Sequence, residues 1–123
     1  MNAPALQSCL DRHLAHAAWV YRLDDELGTR HGLSWADFVL LNRLESGGGS
    51  EGVVPLARAL HTSASHLLLR LLPLEKTGWL ARQAEEGGGR RLVLRPPGRR
   101  QLREARETAA RVCAALDAEG ACT

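Results

Sequence analysis

The densest chemistry in this chain is a run of guanidinium groups. Seven arginines fall between Arg82 and Arg103, against two acids, Glu85 and Glu86, while the rest of the chain holds nine basic and twelve acidic residues. One stretch of a mildly acidic protein is therefore strongly basic, and the basic residues are arginine. A guanidinium offers a planar fork of donors that matches two oxygens of one phosphate, so the run points to an anionic partner rather than to a solvated surface alone.

Other chemistries find little support. There is no nucleophile elbow, no P-loop pattern and no pair of carboxylates in an evident cleft, so the expectation is a protein that is not an enzyme and needs no cofactor. The three cysteines, Cys9, Cys113 and Cys122, form neither an even set nor a C-x-x-C pair, and His13, His16 and His31 do not make a metal set. The longest apolar runs are too short for a bilayer, and the N-terminus lacks a basic start followed by an apolar stretch. No membrane segment and a cytoplasmic location are expected.

The elements that position the arginines follow from periodicity and punctuation. Leu6, Leu10, Leu14, Ala17, Val20 or Tyr21, and Leu27 recur every three or four residues, which predicts one long helix from Pro4 to Leu27, stopped by Gly28. A second helix starts near Ser34, with Asp37 completing a capping box, buries Phe38, Leu41 and Leu44, and ends in Gly47-Gly48-Gly49. A short third helix, Val54 to Leu60, carries Pro55 in its first turn. His61-Thr62-Ser63 makes a turn, and Ser63 caps a fourth helix from Ala64 to Lys76. Two strands, Trp79–Gln83 and Arg90–Arg95, flank the hairpin tip Glu85–Gly89, and a last helix runs from Pro97 to Ala118 with Leu102, Ala105, Ala109, Val112 and Leu116 as its stripe. The fold class is mainly α with a small two-stranded β-wing.

These elements resemble the multiple-antibiotic-resistance regulator (MarR) family of winged helix-turn-helix transcription factors. The likeness is carried by Leu33–Leu41, Leu56-Ala57-Arg58-Ala59-Leu60, Ser63-Ala64-Ser65, Leu74-Glu75-Lys76-Thr77-Gly78-Trp79-Leu80, Arg90-Arg91-Leu92-Val93-Leu94 and Pro96-Pro97-Gly98-Arg99, in that order. It implies one domain over residues 1–123: an N-terminal dimerisation helix in 4–31, the winged helix-turn-helix in 33–95 and a C-terminal dimerisation helix in 97–119. Three departures stand out. Gly89 replaces the acid that usually precedes the wing's arginine pair, so a looser wing is expected. Leu68 and Leu69 stand where polar readers are usual, and Pro73 is expected to kink the fourth helix.

The resemblance implies a homodimeric regulator, a repressor by expectation, that binds double-stranded DNA on a near-palindrome. Candidate contacts are Thr62, Ser63, Ser65, His66, Leu69 and Arg70 in the major groove, and Arg90 and Arg91 of the wing. Apolar stripes on the terminal helices fit a second copy as partner. A small aromatic or phenolic effector would use Trp19, Arg22, Trp35 and Phe38, and Cys9 is the candidate redox thiol. The alternative is a winged helix that has lost sequence-specific DNA reading and binds protein through Leu68 and Leu69.

Overall fold

The computed structural model describes residues 3–120. Its elements are α1 (Ala3–His31), α2 (Trp35–Ser46), β1 (Ser50–Gly52), α3 (Val53–Ala59), α4 (Ala64–Lys76), β2 (Leu80–Ala84), β3 (Arg90–Leu94) and α5 (Pro96–Ala118). No helix among the described residues is long and apolar enough to cross a membrane. The chain divides into two compact units, one made of the residues up to Trp35 together with those from Glu104 on, the other of Ala36–Arg103.

In the first unit, the buried side chains are Leu23, Leu27 and Leu33 together with Ala105, Thr108, Ala109, Val112 and Leu116 of α5. Polar links tie the two helices. His31 Nε2 lies 2.7 Å from Thr108 Oγ1, and Arg22 pairs with Glu119. The sequence expectation that Gly28 ends α1 is corrected: the helix runs one turn further, to His31. An interior glycine costs only about 1 kcal/mol relative to alanine. Here Leu27 is fully buried, and Glu26 and Arg30 bridge the exposed glycine as an i,i+4 pair at 3.0 Å. Gly32 makes the stop instead, with its amide donating to the Gly28 carbonyl. Past it, the Trp35 amide that opens α2 donates to Asp24 Oδ1 at 2.7 Å, so a carboxylate of α1 caps the next helix.

In the second unit, α2, α3 and α4 bury Phe38, Leu40, Leu41, Leu44, Leu56, Leu67, Leu71 and Leu74 above a small sheet that contributes Leu80, Leu92 and Leu94. The sheet is three-stranded, not two-stranded as expected. Its order is β1-β3-β2, both pairings are antiparallel, and Gly52 lies opposite Arg91 while Gln83 faces Arg91 from the other side. A strand of three residues directly after three glycines carries no period that a sequence could display.

Three helices of this unit end in the same way. After α2, the Gly49 amide reaches the Leu44 carbonyl and the Gly48 amide that of Glu45; after α4, Trp79 reaches Leu74 and Gly78 reaches Glu75; after α3, Thr62 reaches Ala57 and His61 reaches Arg58. This double closure needs one residue in the left-handed region. Gly48 and Gly78 adopt it at φ +89° and +79°, but after α3 the position is His61, at φ +55°. That residue is the tight turn between α3 and α4.

α4 spans Ala64–Lys76 as expected and continues through Pro73. A proline has no N–H to give the Leu69 carbonyl four residues back. One residue earlier, Arg82 Nη2 donates to the Leu68 carbonyl at 3.3 Å while its Nε donates to Glu75 Oε1 at 2.7 Å, which fastens β2 to the side of α4.

Candidate nucleic-acid interface

The N-terminus of α4 is built as the sequence suggests. Ser63 is extended, and its Oγ accepts from the His66 amide at 3.1 Å, satisfying one of the orphan donors of the first turn. Thr62 Oγ1 lies 3.5 Å from His66 Nδ1, so these two side chains and the cap form one polar cluster. The cap uses only a lone pair of Ser63, so its hydroxyl proton stays available to an acceptor.

The outward face of the same helix is plain from burial. Ser65, His66, Leu69, Leu72, Pro73 and Lys76 are exposed, whereas Leu67, Leu71 and Leu74 are buried and Leu68 and Arg70 are intermediate. Leu69 is 67% exposed and Leu72 48%. Of the two leucines singled out in the sequence, Leu69 thus faces solvent, and Leu68 lies on the flank. Leu72 and Pro73 extend the apolar stripe and were not foreseen as part of it.

The wing's two arginines part company. Arg90 is exposed at the tip end of β3 and has neither a hydrogen bond nor an ion pair among the described residues. Arg91 is held from both sides: Nη1 donates to Glu85 Oε1 at 3.0 Å, Nε to Ser50 Oγ at 3.0 Å and Nη2 to the Ser50 carbonyl at 3.4 Å. The register explains it. Ser50 on β1 and Glu85, the residue just past β2, lie diagonally from Arg91, and the residue directly opposite on β1 is Gly52, which has no side chain there. Gly89 stands where the family's acid is usual, and a carboxylate reaches the wing from elsewhere, from Glu85 just past β2. The tip itself, Glu85 to Gly89, closes by Gly88 N–H to the Glu85 carbonyl at 3.2 Å.

Charge is divided between the units. Ala36–Arg103 holds eleven Lys and Arg against six Asp and Glu, whereas the rest of the chain holds five against eight. Within the basic unit three arginines are spent internally: Arg43 on Glu51 at 3.1 Å, Arg82 on Glu75 and Arg91 on Glu85. The hydrogen bond to Glu51, and then its charge, raise the Arg43 pKa above the ordinary arginine value. Arg58, Arg70, Lys76, Arg90 and Arg95 have no acid partner among the described residues.

The remaining candidates lie elsewhere. Trp19 and Trp35 meet edge to face with ring centroids 5.0 Å apart, and His16 leans on Trp19 at 5.4 Å. The Trp19 indole Nε1 is buried without a partner. Arg22 is engaged by Glu119, Phe38 belongs to the core of the second unit, and Cys9 is exposed on α1.

No protein-family model and no curated protein matches the sequence. Solved structures do match it. A MarR-family regulator from Rhodococcus sp. RHA1 superposes with a TM-score of 0.83 at 13% identity, over 94% of this chain and 82% of that one. A MarR-family regulator from Streptomyces coelicolor, crystallised in complex with DNA, gives 0.82 at 21% identity over 92% and 72%. AbsC, another from the same organism, gives 0.79 at 19% over 91% and 77%. The chain therefore has the winged-helix fold of MarR-family transcriptional regulators.

Proposed function

We propose that this protein is a transcriptional regulator that binds duplex DNA with α4 in the major groove and the β2–β3 wing alongside. The observation that carries the reading is the segregation of charge. The unit that contains α4 and the wing is strongly basic, its surplus cations lack internal partners, and a capped helix N-terminus with exposed hydroxyls lies among them. Such a surface suits phosphates, and the structural neighbour crystallised with DNA has this same fold. Thr62, Ser63 and Ser65 serve backbone oxygens, Ser65, His66, Leu69 and Arg70 face base edges, and Arg90 is the wing's contact. Arg91 works mainly as the post that holds the wing.

The working form is a homodimer. Leu6, Leu10 and Leu14 are large apolar side chains spaced four residues apart on α1, all exposed in the single chain, and Tyr21 continues the face. A second copy is the partner that covers such a stripe in a two-fold regulator, and it sets two copies of α4 roughly 34 Å apart on a near-palindrome. An aromatic effector with an acceptor group is the ligand that the Trp19–Trp35 pair suits, because the buried Trp19 N–H is without a bond.

Duplex binding measured across salt concentrations tests the reading. The affinity should fall by about 0.9 log units per decade of salt for each phosphate neutralised, and Arg90→Ala should lower that slope by about one unit per protomer. Affinity for duplex that is weak at low salt and flat across the series would overturn it.

A further inference from the structure

The outward stripe of α4 is unusual for a surface meant to face base edges. Its centre is Leu69, followed by Leu72 and the ring of Pro73, with Ser65 and His66 before it and Lys76 after it. The side chains in the middle of the stripe carry no donor or acceptor. In the major groove guanine, adenine and cytosine all present polar atoms at this edge, and only thymine presents an apolar group, its C5 methyl. A leucine laid over N7, O6 or N4 would strip water from those atoms and return nothing. Over a thymine methyl it buries carbon on carbon.

We infer that Leu69, with Leu72 beside it, is a specificity-determining residue that selects thymine methyls in each half-site. The inference rests on the DNA-binding reading above and adds what that reading leaves open, namely which base chemistry α4 selects. The spacing fits. Leu69 and Leu72 are three residues apart, about 4.5 Å along the helix axis, close to the roughly 3.4 Å rise between successive bases. The surroundings favour a nucleic acid over a protein as the occupant of this apolar face. Arg70 and Lys76 on the same helix have no acid partner among the described residues, and the unit as a whole holds eleven cations against six acids. An apolar stripe between uncompensated cations complements a groove whose floor bears methyls and whose walls are phosphates.

The test uses the full chain and a randomised duplex pool. Selection should enrich half-sites with one or two thymines at fixed positions. Each thymine is then replaced singly by deoxyuracil, which removes only the methyl, and affinity is measured at constant salt. A loss of about fourfold is expected at those positions, the value of one buried methyl. In Leu69→Ala or Leu72→Ala the loss should vanish at the matching position, with the salt slope unchanged. Both side chains are exposed, so these variants leave the core intact, and the deoxyuracil series uses the unaltered protein.

Enriched sites indifferent to deoxyuracil, or a Leu69→Ala variant as sensitive as the parent, would overturn the inference while leaving DNA binding in place. Salt-sensitive binding with no enriched sequence would also overturn it. Absence of salt-sensitive duplex binding would sink the underlying reading with it, and a Leu69 face covered by another protein would appear in that way.

Discussion

Arg91 of β3 and Glu85, just past the end of β2, meet across the wing at 3.0 Å, and Ser50 of β1 takes the other edge of the same guanidinium. One side chain therefore ties all three strands. Both partners of the ion pair are more than a third exposed, so solvent screens it. A double-mutant cycle of Glu85→Gln and Arg91→Gln should return a coupling energy of about 0.5 kcal/mol. A coupling of zero would mean that the pair does not hold the wing.

His61 has a positive φ of 55°, where two other helices of the same unit use glycine for the same closure. A side chain in that region costs about 1–2 kcal/mol, less for residues such as histidine that visit it more readily. His61→Gly should stabilise the fold by about 0.5–1 kcal/mol, after the greater freedom of glycine in the unfolded chain is subtracted. His61→Val should destabilise it. Thermal or urea unfolding of both variants checks the order, and a His61→Gly variant less stable than the parent would show that the imidazole makes a contact of its own.

Gly98 is a packing requirement. A Cβ built there would lie 2.2 Å from the Trp79 carbonyl oxygen and 3.0 Å from Leu94 Cδ1. The first of these is backbone, and it also accepts from the Arg95 amide at 2.9 Å, so it cannot move without breaking the junction of sheet and α5. Gly98→Ala should therefore cost roughly 2 kcal/mol or more, as overpacking does. Denaturant titration measures it, and a neutral substitution would show that α5 can shift there freely.

Asp24 caps α2 from another helix. Asp24→Ala should lose about 1 kcal/mol, the usual worth of an N-cap, and Asp24→Asn should keep most of it because the amide oxygen can accept the same bond. Equal losses in the two variants would point to charge rather than to the hydrogen bond.

Much of the helix-turn-helix is legible in the sequence because its signals are local. Ser63 before Ala64, Pro55 in a first turn and Gly78 after Lys76 each act within one helical turn, and each stands where the structure has an end. Non-local features were hidden for a physical reason. Glu85 and Arg91 are partners only in one strand register, Asp24 finds the Trp35 amide only after α1 turns back at Gly32, and β1 is too short to show a period. Gly28 misled because a glycine is read as a stop by type, whereas its effect depends on whether neighbours such as Leu27 and the Glu26–Arg30 pair keep the helix in place. In the candidate site the residue types were legible, but which of Arg90 and Arg91 is free was not.

The brevity of β1 has a consequence for how the sheet opens. β1 is three residues long, without an alternating apolar face to choose its alignment, so its register rests on a few polar links: Ser50 to the Arg91 guanidinium, Glu51 to Arg43, and the Gly49 carbonyl, which accepts from the Leu94 amide. Three register pairs join β1 to β3 against five between β2 and β3, so amides bonded across the β1–β3 edge should exchange with solvent deuterium sooner than those between β2 and β3.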